Sequence, residues 1–132
     1  MITGSFENGS PIIEVSIFGI VPTVSKKFKA IIDTGFNGFV QMGLMDAFGL
    51  ALVLENISSS TIADGSQTYT LTAWGNLKVE DKEVEGFISL AQSSQTVLLG
   101  TQWLEKMKVE LAVDCLNKTV KMIPIDLTQK SN

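Results

Sequence analysis

Short segments in which apolar and polar residues alternate are the feature of this chain that most restricts its fold. Residues 13–17, 28–32 and 109–113 each place an apolar side chain at every second position. This is the period of a β-strand with one buried face, because successive side chains of a strand point to opposite faces of the sheet. We therefore expect short strands joined by tight turns.

Turn-forming residues separate the strand-like segments and predict three hairpins. The dipeptide Asp64-Gly65 lies between residues 58–63 and 66–72, and both of these segments are rich in β-branched and hydroxyl residues, so an exposed hairpin with its tip near Gly65 is expected. The charged residues 80–82 predict a second turn, and residues 116–118 predict a third.

Two short helices are expected among these strands. Residues 45–48 read as a helical turn that ends at Gly49, since glycine tolerates the left-handed backbone of a helix end. The apolar residues 97–100 form a short buried run, after which Thr101 is expected to cap a helix that carries Trp103.

The size and composition of the chain are those of one domain with its own core. Its 132 residues are 45% apolar, with no internal repeat, so we expect a single all-β domain over residues 1–132 with one or two short helices. The apolar stretch 43–54 is expected to lie in the core, because it is charged and too short to cross a bilayer.

The net charge of the chain and its first residues limit the expected partners and the expected location of the protein. The net charge of −4 offers no basic surface, so neither nucleic acid nor an acidic membrane is an expected partner. The first seven residues lack the basic and apolar regions of a signal peptide, and a cytoplasmic location is expected.

The chain has no histidine and a single cysteine, Cys115. This composition excludes histidine-based catalytic triads, the usual zinc sites and a disulfide within the chain. We expect no metal and no cofactor, and Cys115 is expected to be a small apolar residue near a turn. Carboxylates, lysines and hydroxyl groups remain as candidates for catalysis.

The triplet Asp33-Thr34-Gly35 follows the strand-like residues 28–32 directly. A carboxylate is thereby placed at a strand end where a loop begins, which is where reactive side chains are usually presented. By itself the triplet is also an ordinary turn sequence, since aspartate and glycine both favour turns.

Three landmarks in order resemble the retropepsin-like aspartic proteases of clan AA, over about residues 11–123: the Asp-Thr-Gly triplet after an apolar strand, the glycine-tipped hairpin, and a Leu-Leu-Gly segment before a short helix. The resemblance implies a single-lobe acid protease barrel with three groups of site residues. These groups are a catalytic loop of Asp33, Thr34 and Gly35; a flap tip of Ala63, Asp64, Gly65 and Ser66; and a supporting segment of Leu98, Leu99 and Gly100.

The resemblance also implies a homodimer that hydrolyses peptide or protein substrates. An aspartic protease site needs two carboxylates that share one proton, and this chain carries the triplet once, so each subunit would supply one Asp33. In this family Thr34 hydrogen-bonds across the interface. Retroviral relatives dimerise through their chain ends. Here residues 1–10 are polar and contain glycine, and residues 123–127 are candidates for an interface strand that Pro124 restricts to an edge or a bulge.

Phe36 departs from the common pattern, in which alanine or serine follows the catalytic glycine. The change resembles a group of small prokaryotic proteins that share Asp-Thr-Gly-Phe. A ring that fills the cleft would favour an alternative function, a non-catalytic peptide- or protein-binding module with the same fold. Aspartyl-phosphate phosphotransferases are disfavoured, because Gly35 stands where they need a second aspartate.

Overall fold

The computed structural model describes residues 1–61, 63–92 and 96–127. In this part of the chain the mostly-β class is confirmed: there are ten strands and two short helices. In chain order the elements are β1 (Ile2–Glu7), β2 (Ser10–Phe18), β3 (Ser25–Ile32), β4 (Val40–Gly43), α1 (Leu44–Ala47), β5 (Val53–Thr61), β6 (Gln67–Val79), β7 (Lys82–Ala91), β8 (Val97–Leu99), α2 (Thr101–Met107), β9 (Val109–Asp114) and β10 (Thr119–Pro124).

The strands pair in the order β5-β6-β7-β4-β8-β3-β2-β1-β10-β9, with a further pairing of β6 with β2. Strand β8 lies between β3 and β4, parallel to β3 and antiparallel to β4. Because β3 and β4 are consecutive in the chain, residues 33–39 must cross the end of β8. This crossing begins at Asp33, immediately after β3.

All three predicted hairpins are present. Strands β5 and β6 join through a turn in which Gly65 has a φ of +88°, and β6 and β7 join at residues 80–81. Strands β9 and β10 join through residues 115–118. Ile62, in the first arm of the predicted Gly65 hairpin, lies outside the described residues, as do residues 93–95 and 128–132 of the predicted domain.

Both predicted helices form, but the prediction that Thr101 caps α2 was wrong. Gly100 is the N-cap residue and makes no side-chain capping bond, and Thr101 is already helical. The backbone amide of Thr101 donates to the Phe36 carbonyl (2.9 Å), and that of Gln102 donates to the Gly38 carbonyl (3.1 Å). Carbonyls of the 33–39 loop therefore satisfy amides that a capping side chain would otherwise satisfy.

Strand β1 was not anticipated, because residues 1–10 are polar and contain glycine. It pairs with β2 on one side and with β10 on the other. Gly4 permits this close pairing, since a Cβ at this position would lie 2.3 Å from the carbonyl oxygen of Ile12. The pairing of β1 therefore depends on a close approach of its backbone to that of β2, which cannot be recognised from an alternating apolar pattern.

The core is formed by the inward faces of the strands, with Trp103 and Met107 of α2 fully buried among them. The expectation that residues 43–54 lie in the core is only partly correct. Leu50 is buried, but Met45 and Phe48 are exposed because α1 lies at the surface. Among the described residues, no helix has both the length and the apolar character needed to cross a membrane.

Candidate functional site

Hydrogen bonds fix the carboxylate of Asp33 at the end of β3. Its backbone amide donates to the carbonyl of Leu99 (2.9 Å), which ties the loop to β8. One carboxylate oxygen, Oδ1, accepts the backbone amide of Gly35 (2.9 Å), and the Asp33 carbonyl accepts the amide of Phe36 (3.1 Å). The half-buried Asp33 side chain is thus oriented by its own loop while Oδ2 remains available for another partner.

The predicted supporting segment, Leu98 to Gly100, contacts this loop directly. The Gly100 amide donates to the carbonyl of Phe39 (3.0 Å), so the chain enters α2 against the 33–39 loop. A Cβ on Gly100 would lie 2.1 Å from the Gly38 carbonyl oxygen and 2.6 Å from that of Phe36. The absence of a side chain at Gly100 is therefore a condition for this packing.

Phe36 is half-buried, and its ring packs against the two glycines of the crossing. A Cβ on Gly38 would lie 2.5 Å from Cζ of this ring, and a Cβ on Gly100 would lie 2.7 Å from its Cδ2. The bulk of Phe36 is thus accommodated where Gly38 and Gly100 leave space. Sequence reasoning identified Phe36 as unusual but did not connect it with these glycines.

Asp33 and Thr34 line an open groove of about 560 Å³. Strand β9 contributes Leu111 and Val113 to the lining of this groove, and Cys115 follows them in the turn after β9. Among the described residues that line it, Asp33 is the only charged one. The contribution of β9 was missed, because the alternating pattern predicts a strand and not the strand's position.

The predicted flap tip lies at the end of the β5–β6 hairpin. Pairing of β6 with β7 ends at Thr70, whereas pairing with β5 continues to Gln67, so the end of the hairpin projects beyond β7. Within the described part of the chain, no hydrogen bond joins residues 63–66 to residues 33–35. Hydrogen bonds thus join the predicted catalytic loop to the predicted supporting segment, and among the described residues none joins the tip to the catalytic loop.

One face of the projecting hairpin carries exposed apolar side chains. Ile57 lies opposite Leu71 in the ladder, on the face that carries the buried Ala73 further along β6. Tyr69 belongs to the same face, and the side chains of Ile57 and Tyr69 are 60% and 45% exposed. The core-facing side of the sheet therefore continues outward as an accessible apolar surface.

Local hydrogen bonds give the turn at the hairpin tip its own pH dependence. Asp64 Oδ1 accepts the hydroxyl (2.6 Å) and the backbone amide (2.9 Å) of Ser66, and these bonds, the hydroxyl first, hold the pKa of Asp64 below its ordinary value. A lowered pKa in the folded state means that the carboxylate stabilises the turn above the unfolded pKa of about 4. This contribution is lost as the pH falls through the folded-state pKa.

Replacing Ser66 with alanine should raise the pKa of Asp64 toward its ordinary value, because the hydroxyl is the largest cause of the shift. The pKa should stay below the ordinary value, since the amide bond remains. The measurement is an NMR titration of the Asp64 carboxyl carbon. Asp114, whose pKa is lowered by the Asn117 and Leu116 bonds of a separate turn, serves as the internal control, and its pKa should be the same in both proteins; an unchanged Asp64 pKa would contradict the assignment.

Among the described residues, no group of three or more histidine, cysteine, aspartate or glutamate side chains is placed to hold a metal ion. Comparison of the chain with protein-family models and with curated proteins found no match in either. The geometry of the Asp33 loop, its supporting segment and the groove beside it is therefore the basis for assigning a function.

Proposed function

We propose that this chain is a homodimeric aspartic endopeptidase with a retropepsin-like barrel in each subunit. The observation that carries the proposal is the Asp33 carboxylate, oriented by the Gly35 amide at a strand end and backed by Gly100 where β8 passes between β3 and β4. This arrangement leaves one carboxylate oxygen per chain for a shared site.

In the proposed reaction, two Asp33 side chains meet across a two-fold axis and hold one proton between them, because two close carboxylates do not both ionise. The ionised carboxylate takes a proton from a bound water as the water oxygen attacks the peptide carbonyl carbon. The protonated carboxyl group donates to the carbonyl oxygen. Breakage of the carbon–nitrogen bond then follows, with a proton delivered to the leaving nitrogen.

The charge distribution of the groove supports the need for a second chain. In the part of the chain that the structure describes, Asp33 is the only charged residue of the lining, so this part offers no second carboxylate there to complete an acid–base pair. Thr34 is exposed beside it and is available to a partner loop. A symmetric dimer supplies the missing carboxylate without a second Asp-Thr-Gly triplet in the chain, since each subunit contributes the same loop.

The substrate of the proposed enzyme is an extended peptide segment of an unfolded or flexible protein. Such a segment pairs with a β-hairpin as an added strand, which satisfies its backbone groups. The exposed side chains of Ile57 and Tyr69, beside the half-buried Leu71, favour apolar side chains in the peptide.

The experiment that tests the proposal measures binding stoichiometry together with hydrolysis. A statine-type inhibitor, which mimics the tetrahedral intermediate, should bind as one molecule per two chains in calorimetry and should stop cleavage of an unfolded polypeptide at acid pH. One inhibitor per chain would rule out a shared dyad. Dimers that show neither cleavage nor inhibitor binding would rule out the peptidase.

The alternative function, a non-catalytic peptide-binding module, was motivated by the bulk of Phe36. This argument for a binding module is weaker because the ring of Phe36 packs against Gly38 and Gly100. A binding module would retain peptides intact, and its affinity for them would not depend on the ability of Asp33 to exchange a proton. Recovery of uncleaved peptide after long incubation would therefore favour the module.

A further inference from the structure

The face of strands β5, β6 and β7 that points away from the core carries an exposed aromatic ring. Phe87 of β7 is 51% exposed, and its ring packs edge-to-face with that of Trp74, which lies opposite it on β6 (ring centroids 4.7 Å apart). This contact restricts the orientation of the Phe87 ring. Phe87 and Glu55 of β5 line one open cavity of about 410 Å³, together with Asn56 and Thr72. An oriented ring and a carboxylate thus border the same space.

A β-bulge in β5 brings Glu55 to this cavity. The β6 partners of Leu54 and Asn56 are adjacent residues, so Glu55 between them is extra and has no residue opposite it. Adjacent residues of a regular strand point to opposite faces of the sheet, yet Glu55 and Asn56 line the same cavity. Bulges re-aim side chains in this way and are frequent next to functional sites.

The carboxylate of Glu55 has no basic neighbour on this face. Neither of the ion pairs found among the described residues involves Glu55. The nearest lysine on the same face of β6 is Lys78, about 20 Å along the strand from Thr72. Glu85, two residues before Phe87 on the same face of β7, adds a second negative charge. The cavity therefore presents an aromatic and acidic surface to solvent.

A row of residues connects this cavity with the Asp33 groove. Each member pairs with the next one on the neighbouring strand, so all of them lie on one face of the sheet. In order from β3 to β5, they are Ile31, Leu98, Gln41, Ser89, Thr72 and Asn56. None of the six is buried, and the first two line the Asp33 groove. Neighbouring strands lie about 4.8 Å apart, so the row spans about 24 Å, which an extended peptide of about seven residues covers.

We propose that Glu55 and Phe87 form a subsite for the guanidinium group of an arginine in the substrate, about seven residues from the cleaved bond. The inference rests on the proposed function and goes beyond it by naming a substrate class. A guanidinium group is planar and weakly hydrated, so it stacks on the Phe87 ring while its N–H groups donate to the Glu55 carboxylate. A lysine ammonium group is strongly hydrated and has no flat face, so it fits this pair less well.

Binding of arginine to this subsite is measured without catalysis. N-acetyl-arginine amide is titrated into the full chain at millimolar concentrations and constant ionic strength, and backbone amide NMR signals are followed. N-acetyl-citrulline amide, which has a similar shape without the charge, is the control. Arginine should shift the signals of Glu55, Asn56, Thr72 and Phe87, and citrulline should not. Glu55→Gln should abolish these shifts, whereas Glu83→Gln, which removes the same charge further along β7, should retain them.

Peptides that also carry a statine unit test whether the arginine belongs to the substrate. An otherwise uncharged peptide carries one arginine either three or eight residues from the statine, and a matched pair carries citrulline. At eight residues, arginine should bind about tenfold more tightly than citrulline in calorimetry, because both groups are bound at once. At three residues, which extend to about 11 Å, the two should bind equally. Glu55→Gln should remove the tenfold ratio, and Phe87→Leu should lower it to about threefold.

The outcomes separate the subsite from the proposed function. Absent shifts, equal shifts with citrulline, or shifts that persist in Glu55→Gln overturn the subsite. If N-acetyl-arginine amide binds as expected but arginine gives no gain in the statine peptides, or the same gain at both spacings, the arginine comes from a separate partner protein and its assignment to the substrate is wrong. If no statine peptide binds, the proposed function falls, while shifts caused by N-acetyl-arginine amide still establish the guanidinium site.

Discussion

Replacing Asp33 with asparagine should lower kcat/KM for peptide hydrolysis by about 10⁴-fold, because an amide neither takes a proton from water nor gives one to the carbonyl oxygen. The loop itself should survive the change. Asparagine retains Oδ1 as an acceptor for the Gly35 amide, which donates to this atom at 2.9 Å. The loss of activity is therefore expected without a loss of folding, as measured by thermal unfolding of both proteins.

Asp81→Asn is the matched control, since it removes the same charge at an exposed position of the β6–β7 turn. Its kcat/KM should equal that of the unchanged protein. Hydrolysis that persists in Asp33→Asn within tenfold of the unchanged protein would contradict the role of Asp33, and an equal loss in Asp81→Asn would assign the effect to net charge.

Mixed dimers distinguish a shared site from two independent ones. When unchanged and Asp33→Asn chains are mixed in equal amounts and allowed to exchange, about a quarter of the dimers carry two carboxylates. If only these dimers are active, the rate should fall to about a quarter of that of the unchanged protein at the same total chain concentration. A fall to about half would mean that each Asp33 acts alone.

The parts of this fold that sequence predicts are local. The alternation of residues 13–17 and 109–113 specifies strands because each buried position contacts the core directly. The turn at Gly65 is predicted because glycine readily adopts a positive φ, which this residue has in the structure. The position of Asp33 at a strand end is of the same kind, since it depends only on where the apolar run stops.

The remainder depends on partners that are distant in the chain. Nothing in residues 97–99 indicates that β8 lies between β3 and β4, and the pattern of β9 does not reveal that it borders the Asp33 groove. Thr101 has the composition of a helix cap, yet the carbonyls of Phe36 and Gly38 accept the first helical amides. The local preference of threonine for the capping position is therefore not realised where the tertiary fold supplies other hydrogen-bond acceptors for the helical amides.

Gly100→Ala should destabilise the protein by about 3 kcal/mol or more and lower Tm by about 10 °C, because the added Cβ meets backbone that is held on both sides. The new atom would lie 2.1 Å from the Gly38 carbonyl oxygen and 2.6 Å from that of Phe36. The same carbonyls accept the amides of Gln102 and Thr101, so they cannot withdraw without breaking the start of α2. Thermal and urea unfolding measure the loss.

Gly38→Ala provides the comparison that separates backbone from side-chain conflict. The three atoms nearest to its Cβ would all belong to the ring of Phe36, with Cζ at 2.5 Å, and a ring can move at a cost of about 1 kcal/mol. In a Phe36→Ala background, Gly38→Ala should therefore cost almost nothing, whereas Gly100→Ala should remain as harmful as before. If Phe36→Ala rescued both substitutions equally, the ring of Phe36, and not the close approach of the two backbone segments, would be what requires glycine at these positions. The conclusion that Gly100 supports the Asp33 loop through backbone packing would then be wrong.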